Sequence, residues 1–180
     1  MKFVKLLSAI LAVGLLAAAV DAQRTGNTVD HQFIDMMIEH HQSAIEMAQL
    51  AQTKAHLSDI RELAGRIISD QQAEQEELRR MKTESFPNAG MAMKMGSMTM
   101  AEMKKMAARD MRQLNAAREG RGFDMMFIQK MTMHHQMALT MADKEISGGR
   151  LRDLMTMARE MKKKQQREIR EMTRMRRRVR

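Results

Sequence analysis

Apolar residues recur at helical spacing along most of this chain. On a helical wheel that advances about 100° per residue, Met37, His40, Ala44, Met47, Ala48 and Ala51 all fall within about 60° of Phe33. His40 lies near the middle of that stripe, between Met37 on one side and Met47 on the other. The stripe predicts a helix from about Thr28 to Lys54. A second helix is predicted from about Ser58 to Lys82, with Ser58 or Asp59 placed to cap its first amides. Further along, Met131, His134, Ala138 and Met141 take the same places around Phe127, so the first stripe appears again. Gly120 and Gly122 precede this helix, and Gly148-Gly149 separate it from a last one. Between the halves, TESFPNAGMAMKMGSMTM reads as a loop around Pro87 and Gly90. Thr99 to Glu102 then form a capping-box pattern that opens a shorter helix ending near Glu119. Short connections make antiparallel neighbours, so the pattern predicts an all-α four-helix bundle with one short extra helix.

The two halves are copies. Sliding the chain against itself by 94 positions from residue 30 to 81 gives 19 identities in 52 positions, among them His40-His41-Gln42 on His134-His135-Gln136. Two copies of this length mean a duplicated helical hairpin, since solenoids need three or more units. The expected organisation is a single bundle domain over 23–176, with halves 28–82 and 122–176. A Met-rich linker and short helix occupy 83–119, and a basic tail covers 177–180.

The first 22 residues change where this bundle belongs. MKFVKLLSAILAVGLLAAAVDA has Lys2 and Lys5, an apolar run from Leu6 to Val20, and small residues at its end. This is the grammar of a secretory signal cleaved after Ala22, with an uncleaved anchor helix as the rival reading. The apolar run is short of the roughly 20 residues a membrane span needs. The mature chain is therefore expected in the periplasm or outside the cell. With no cysteine, neither a disulfide nor a thiolate metal site can form.

Charge is uneven. The net +9 is matched by residues 149–180 alone, where 13 Lys/Arg face four acidic residues. Basic character thus belongs to the last helix and its RMRRRVR end, which an anionic membrane surface would attract. Nucleic acid is a weaker partner, because no aromatic residue lies nearby to stack on bases.

Methionine decides the candidate chemistry. The chain has 24 Met but no Trp or Tyr, although Met is normally a sparing gap-filler. His40 and His134 sit mid-stripe and point into the bundle, while His41 and His135 lie on its flank near Asp30 and Asp124. Met37 and Met131 precede the inward histidines by three residues, and Met137 follows His134 by three, spacings from which two side chains can reach one ion. A di-iron bundle would carry Glu three residues before each histidine. Met37 and Met131 occupy those places here. Thioether with imidazole suits copper, Cu(I) first and Cu(II) second, more than zinc. The candidate ligands are Met36, Met37, His40, His41 and Met47 in the first copy. In the second they are Met131, His134, His135, Met137 and Met141. Met91, Met93, Met95, Met98 and Met100 in the linker, followed by Met103 and Met106, read as a flexible segment able to wrap transferable Cu(I) or to absorb oxidant.

The motif D-x-x-F-x-x-x-M-x-x-HH-x-x-A-x-x-MA, present at Asp30 to Ala48 and again at Asp124 to Ala142, resembles the ferritin-like family named domain of unknown function 305. A second family pattern, Q-x-x-E-I-x-x-M, matches at Gln165, Glu168, Ile169 and Met172 and only partly from Gln71 to Leu78. Met81 and Met175 stand where the family usually has tryptophan. The resemblance covers roughly 27–176. It implies a ferritin-like four-helix bundle, export, and copper binding through Met and His linked to copper tolerance. Together these readings favour an exported protein that buffers, sequesters or hands on Cu(I) to a transfer partner. The alternative is a helical module that binds anionic surfaces with Met and His as packing. There is no Cys nucleophile and no Ser-His-Asp or phosphate-loop pattern, which leaves only metal redox chemistry for an enzyme, and no enzyme activity is expected.

Overall fold

A computed structural model describes residues 26–179. The expected signal segment lies outside the described residues. Five helices follow one another: α1 (Thr28–Lys54), α2 (Ser58–Ser85), α3 (Met100–Ala116), α4 (Arg121–Gly148) and α5 (Arg152–Val179). Before α3, a two-stranded antiparallel ribbon pairs β1 (Lys94–Met95) with β2 (Met98–Thr99).

Each half forms a hairpin, α1 on α2 and α4 on α5, and the two hairpins meet mainly through α1 against α4. These central helices carry buried residues on more than one side, including Met36, Phe33 and Ile34 on α1 and Lys130, Phe127 and Ile128 on α4. The outer helices bury a single stripe, such as Leu154, Ala158, Met161, Met172 and Met175 on α5. That difference follows from position, since a helix between neighbours must be apolar on several faces and an outer one on only one. α5 runs on through Val179, which is 4% exposed, well into the stretch expected as a separate tail.

The helix starts differ from expectation. Ser58 and Asp59 do not cap α2, whose N-cap Leu57 offers no side-chain acceptor. The caps are exchanged between halves instead. Asp124 at the start of α4 accepts from the amides of His56 (2.8 Å) and Leu57 (3.1 Å). Asp30 at the start of α1 accepts from Arg150 (2.9 Å) and Leu151 (3.0 Å). Both aspartates are fully buried, so each hairpin turn of one half is satisfied by the other half. This places Asp30 and Asp124 on turns, away from the role beside His41 and His135 that the helical wheel suggested.

One cross-cap is loaded further. Glu145, fully buried near Asp30, stands where the first copy has Ala51. The α4–α5 turn passes so close that a Cβ on Gly149 would lie 2.1 Å from Glu145 Oε1. Burial, then the charge of Asp30, pushes the Glu145 carboxyl up to about 8. In the unfolded chain it titrates near its ordinary value of 4.5. Stability held by the protonated form is therefore fully present below that value and is lost as pH rises toward 8. In denaturant titrations, Glu145→Gln is expected to remove this decline, so that the variant gains a few kcal/mol on the parent between about pH 5 and 8. A constant difference across that range would contradict the assignment.

The linker is not a loose loop. Gly96, at φ +61°, closes the two-residue ribbon turn, and the Ala92 amide donates to Asp35 (2.6 Å). Met95, Met100 and Met103 are buried in one apolar cluster with Met36, Met37 and Met141. Only Met91, Met93 and Met106 of the linker and α3 remain exposed. Thr99 and Glu102 do form the expected capping box of α3. Among the described residues, no helix is long and apolar enough to cross a membrane.

Candidate metal centre

The α1/α4 contact brings the four motif histidines into one row. Ring centroids of His40 and His134 lie 3.6 Å apart, and His41 and His135 flank them at 6.3 Å each. His41 and His135, expected on the flank of the stripe, are fully buried, because α2 and α5 close over that flank.

All four rings use Nε2 for hydrogen bonding. His40 Nε2–H donates to the backbone carbonyl of His134 (3.0 Å), and His134 Nε2 meets Ser43 Oγ at 2.7 Å. His41 Nε2–H donates to Glu74 (2.8 Å) and His135 Nε2–H to Glu168 (2.6 Å). Each Nδ1 is buried with no partner among the described residues. Burial, followed by the neighbouring imidazoles, holds His40 and His134 well below the ordinary histidine value. These two rings are therefore neutral at neutral pH, and the ring nitrogen not carrying hydrogen is a free lone pair. Burial alone would raise Glu74, but the hydrogen bond from His41 and the nearby Lys164 ammonium (2.9 Å) outweigh it and keep the carboxyl below its ordinary range.

The pairing of His41 with Glu74 and of His135 with Glu168 matches the outer support that metal-ligating histidines receive, in which a carboxylate fixes tautomer and orientation. Gln71 and Gln165, equivalent in the repeat and each 2% exposed, carry amides with no partner one turn before those glutamates. Buried polar atoms are normally satisfied, so this interior is more polar than packing requires. The copies differ at one key place. Ser43 bonds to His134, whereas the equivalent residue is Met137, which breaks the symmetry of the ring pair. Ser43 also lines a surface groove between α1 and α3 with Glu39, Gln42, Glu46 and Lys104.

The methionines named as candidates divide between two cores. Met36, Met37 and Met141 are buried in one cluster, with Met137 packed against it, while Met47 and Met131 belong to the other. The six sulfurs do not form one group. Among the described residues no three His, Asp or Glu side chains assemble as a metal-ligating set, the arrangement a di-iron carboxylate centre would need. Sequence reading gave no role to Ser43, Glu74, Glu168 or Lys164. For the glutamates a signal existed: Glu74 and Glu168 keep the same separation from His41 and His135 in the two copies, at positions identical in otherwise diverged helices.

The fold recurs among solved structures. This chain is similar to CopM in its Cu(II)-bound form, with 31% identity over 82% of this chain and 95% of that one, at a TM-score of 0.67. It is likewise similar to CopM in its Cu(I)-bound form, with 30% identity over 81% and 93%, at 0.66. A DUF305 protein from Streptomyces coelicolor shares the fold at 23% identity over 80% and 88%, at 0.64. A comparison with curated proteins returned no match. Residues 30–176 match the family described as domain of unknown function DUF305. The duplicated histidine motif and this match over most of the chain agree: the protein is a member of the DUF305 family.

Proposed function

We propose that this protein is an exported copper-binding protein that holds Cu(I) in the centre of the bundle and buffers it or passes it to a transfer partner, without catalysis. The observation that carries this reading is the row of four imidazoles, each with an unpartnered Nδ1, set between two methionine-containing cores. Neutral imidazole is the form that binds metal without first losing a proton, and thioether neighbours favour Cu(I) over harder ions. The donor types present suit the ion. His40 and His134, the close pair, would supply nitrogen, with His41 and His135 on either side of them. Met37, Met47, Met131 and Met141, on the stripes that carry the inward histidines, are the sulfur donors, with Met36 and Met137 beside them. CopM, 30% identical to this chain, has structures with Cu(I), Cu(II) and silver, which supports a soft-metal cargo here. The secretory grammar of residues 1–22 supports export.

The test is X-ray absorption at the copper edge on protein isolated from its native compartment. Mixed nitrogen and sulfur scattering at roughly stoichiometric copper is expected. Metal-free protein, or copper bound by oxygen alone, would overturn the proposal. The outer carboxylates give a second check: Glu74→Gln with Glu168→Gln should weaken Cu(I) affinity about 10–100-fold while leaving the helical circular dichroism unchanged. Equal affinity in that variant means His41 and His135 lie outside the site.

A further inference from the structure

One surface feature is independent of the histidine centre. On α5, Arg152, Arg159, Arg167, Arg170, Arg174 and Arg177 fall within an arc of about 80°. Apart from Thr156 and Lys163, no other residue of the helix falls in that arc. Its midline lies opposite the buried face of Leu154, Ala158, Met161, Met172 and Met175, so the row follows the outermost ridge of the molecule. At about 1.5 Å per residue it extends roughly 37 Å. All six arginines are exposed, and none enters an ion pair formed among the described residues.

The internal duplication supplies a control. At the equivalent positions of α2 stand Ser58, Gly65, Ala73, Glu76, Arg80 and Thr83, with no net charge. Arg80 there is tied to Glu77 and Glu84. The same fold thus needs no basic ridge, and solubility alone does not require one sign of charge along a whole face. We infer that this α5 ridge docks the protein on an anionic phospholipid surface, the helix lying along the membrane plane. A straight row matches a flat array of phosphates. Guanidinium groups bind phosphate bidentately and stay charged at any relevant pH. The arc carries no large apolar residue to insert into lipid and no aromatic residue to stack on a base, so the contact is electrostatic.

The test uses residues 23–180, which retain every described element and omit the apolar leader that would itself enter lipid. The chain is sedimented with vesicles of phosphatidylcholine alone and with about one-third phosphatidylglycerol, at about 50 and 500 mM NaCl, which brackets weak and strong screening. Binding to the anionic vesicles is expected to fall at least tenfold at high salt and to be absent on phosphatidylcholine. Combined Arg159→Gln, Arg167→Gln, Arg170→Gln and Arg174→Gln should lower it at least tenfold at low salt, with circular dichroism confirming the fold. Binding that is unchanged in the variant, salt-insensitive or absent would overturn the inference. So would tighter binding to duplex DNA than to the anionic vesicles at equal phosphate. Should the variant fail to fold, the salt and lipid dependence of the parent chain still decides.

Discussion

Replacing His40 and His134 together by alanine is expected to weaken Cu(I) binding by about 100-fold or more in anaerobic competition against a chromogenic chelator. Loss of an outer-sphere partner costs about 10–100-fold, and removal of two direct nitrogen donors should exceed that. The two rings are the centre of the row at 3.6 Å, and His134 also anchors Ser43. Deleting both leaves a cavity, so a lower melting temperature is expected with helical content retained. The neighbouring pair separates ligation from packing. His41→Ala with His135→Ala leaves Glu74 and Glu168 without their imidazole partners, yet it spares the central pair. A larger copper loss in the central variant than in this one places the ion between His40 and His134. Unchanged affinity in the central variant moves the site elsewhere, with exposed Met91 and Met93 the next sulfur donors to replace.

The largest effect on stability is expected at the exchanged caps. Asp124→Ala leaves the amides of His56 and Leu57 without their acceptor, at about 1–3 kcal/mol for each group left unsatisfied. For a chain of this size each kcal/mol shifts the melting temperature by about 2–4 °C, so a fall on the order of 10 °C is expected by calorimetry. Asp30→Ala removes the acceptor of Arg150 and Leu151 but also removes the negative charge that helps to raise Glu145. Its net cost above neutral pH is therefore expected to be smaller than that of Asp124→Ala, and the gap between the two variants should narrow as pH falls and Glu145 takes up its proton. Equal losses at all pH values would show that Asp30 and Glu145 are not coupled.

Much of the architecture is legible without coordinates. Helical periodicity places α1 at the bounds observed, and the Thr99 capping box opens α3 as expected. Local signals fail where the chain answers a distant part of itself. Ser58 and Asp59 are sound capping residues, yet Asp124 of the other half satisfies that turn. The linker methionines read as a loop because their M-x-M spacing has no helical period. The ribbon and the Asp35–Ala92 bond then fold several of them into the core. Glu145 differs from Ala51 in the first copy, and nothing local marks it as buried beside Asp30.

The helices, the duplication and the inward aim of His40 and His134 are readable from the order of residues, because they rest on periodicity and on identity between two copies. Helix packing alone sets the four imidazoles in one row, leaves each Nε2 occupied and each Nδ1 without a partner, and separates the candidate methionines into two cores. Those outcomes depend on how α1 meets α4 and which residues of α2 and α5 close over them. A helical wheel describes one helix at a time, whereas hydrogen-bond partners and burial are properties of pairs of helices far apart in the chain.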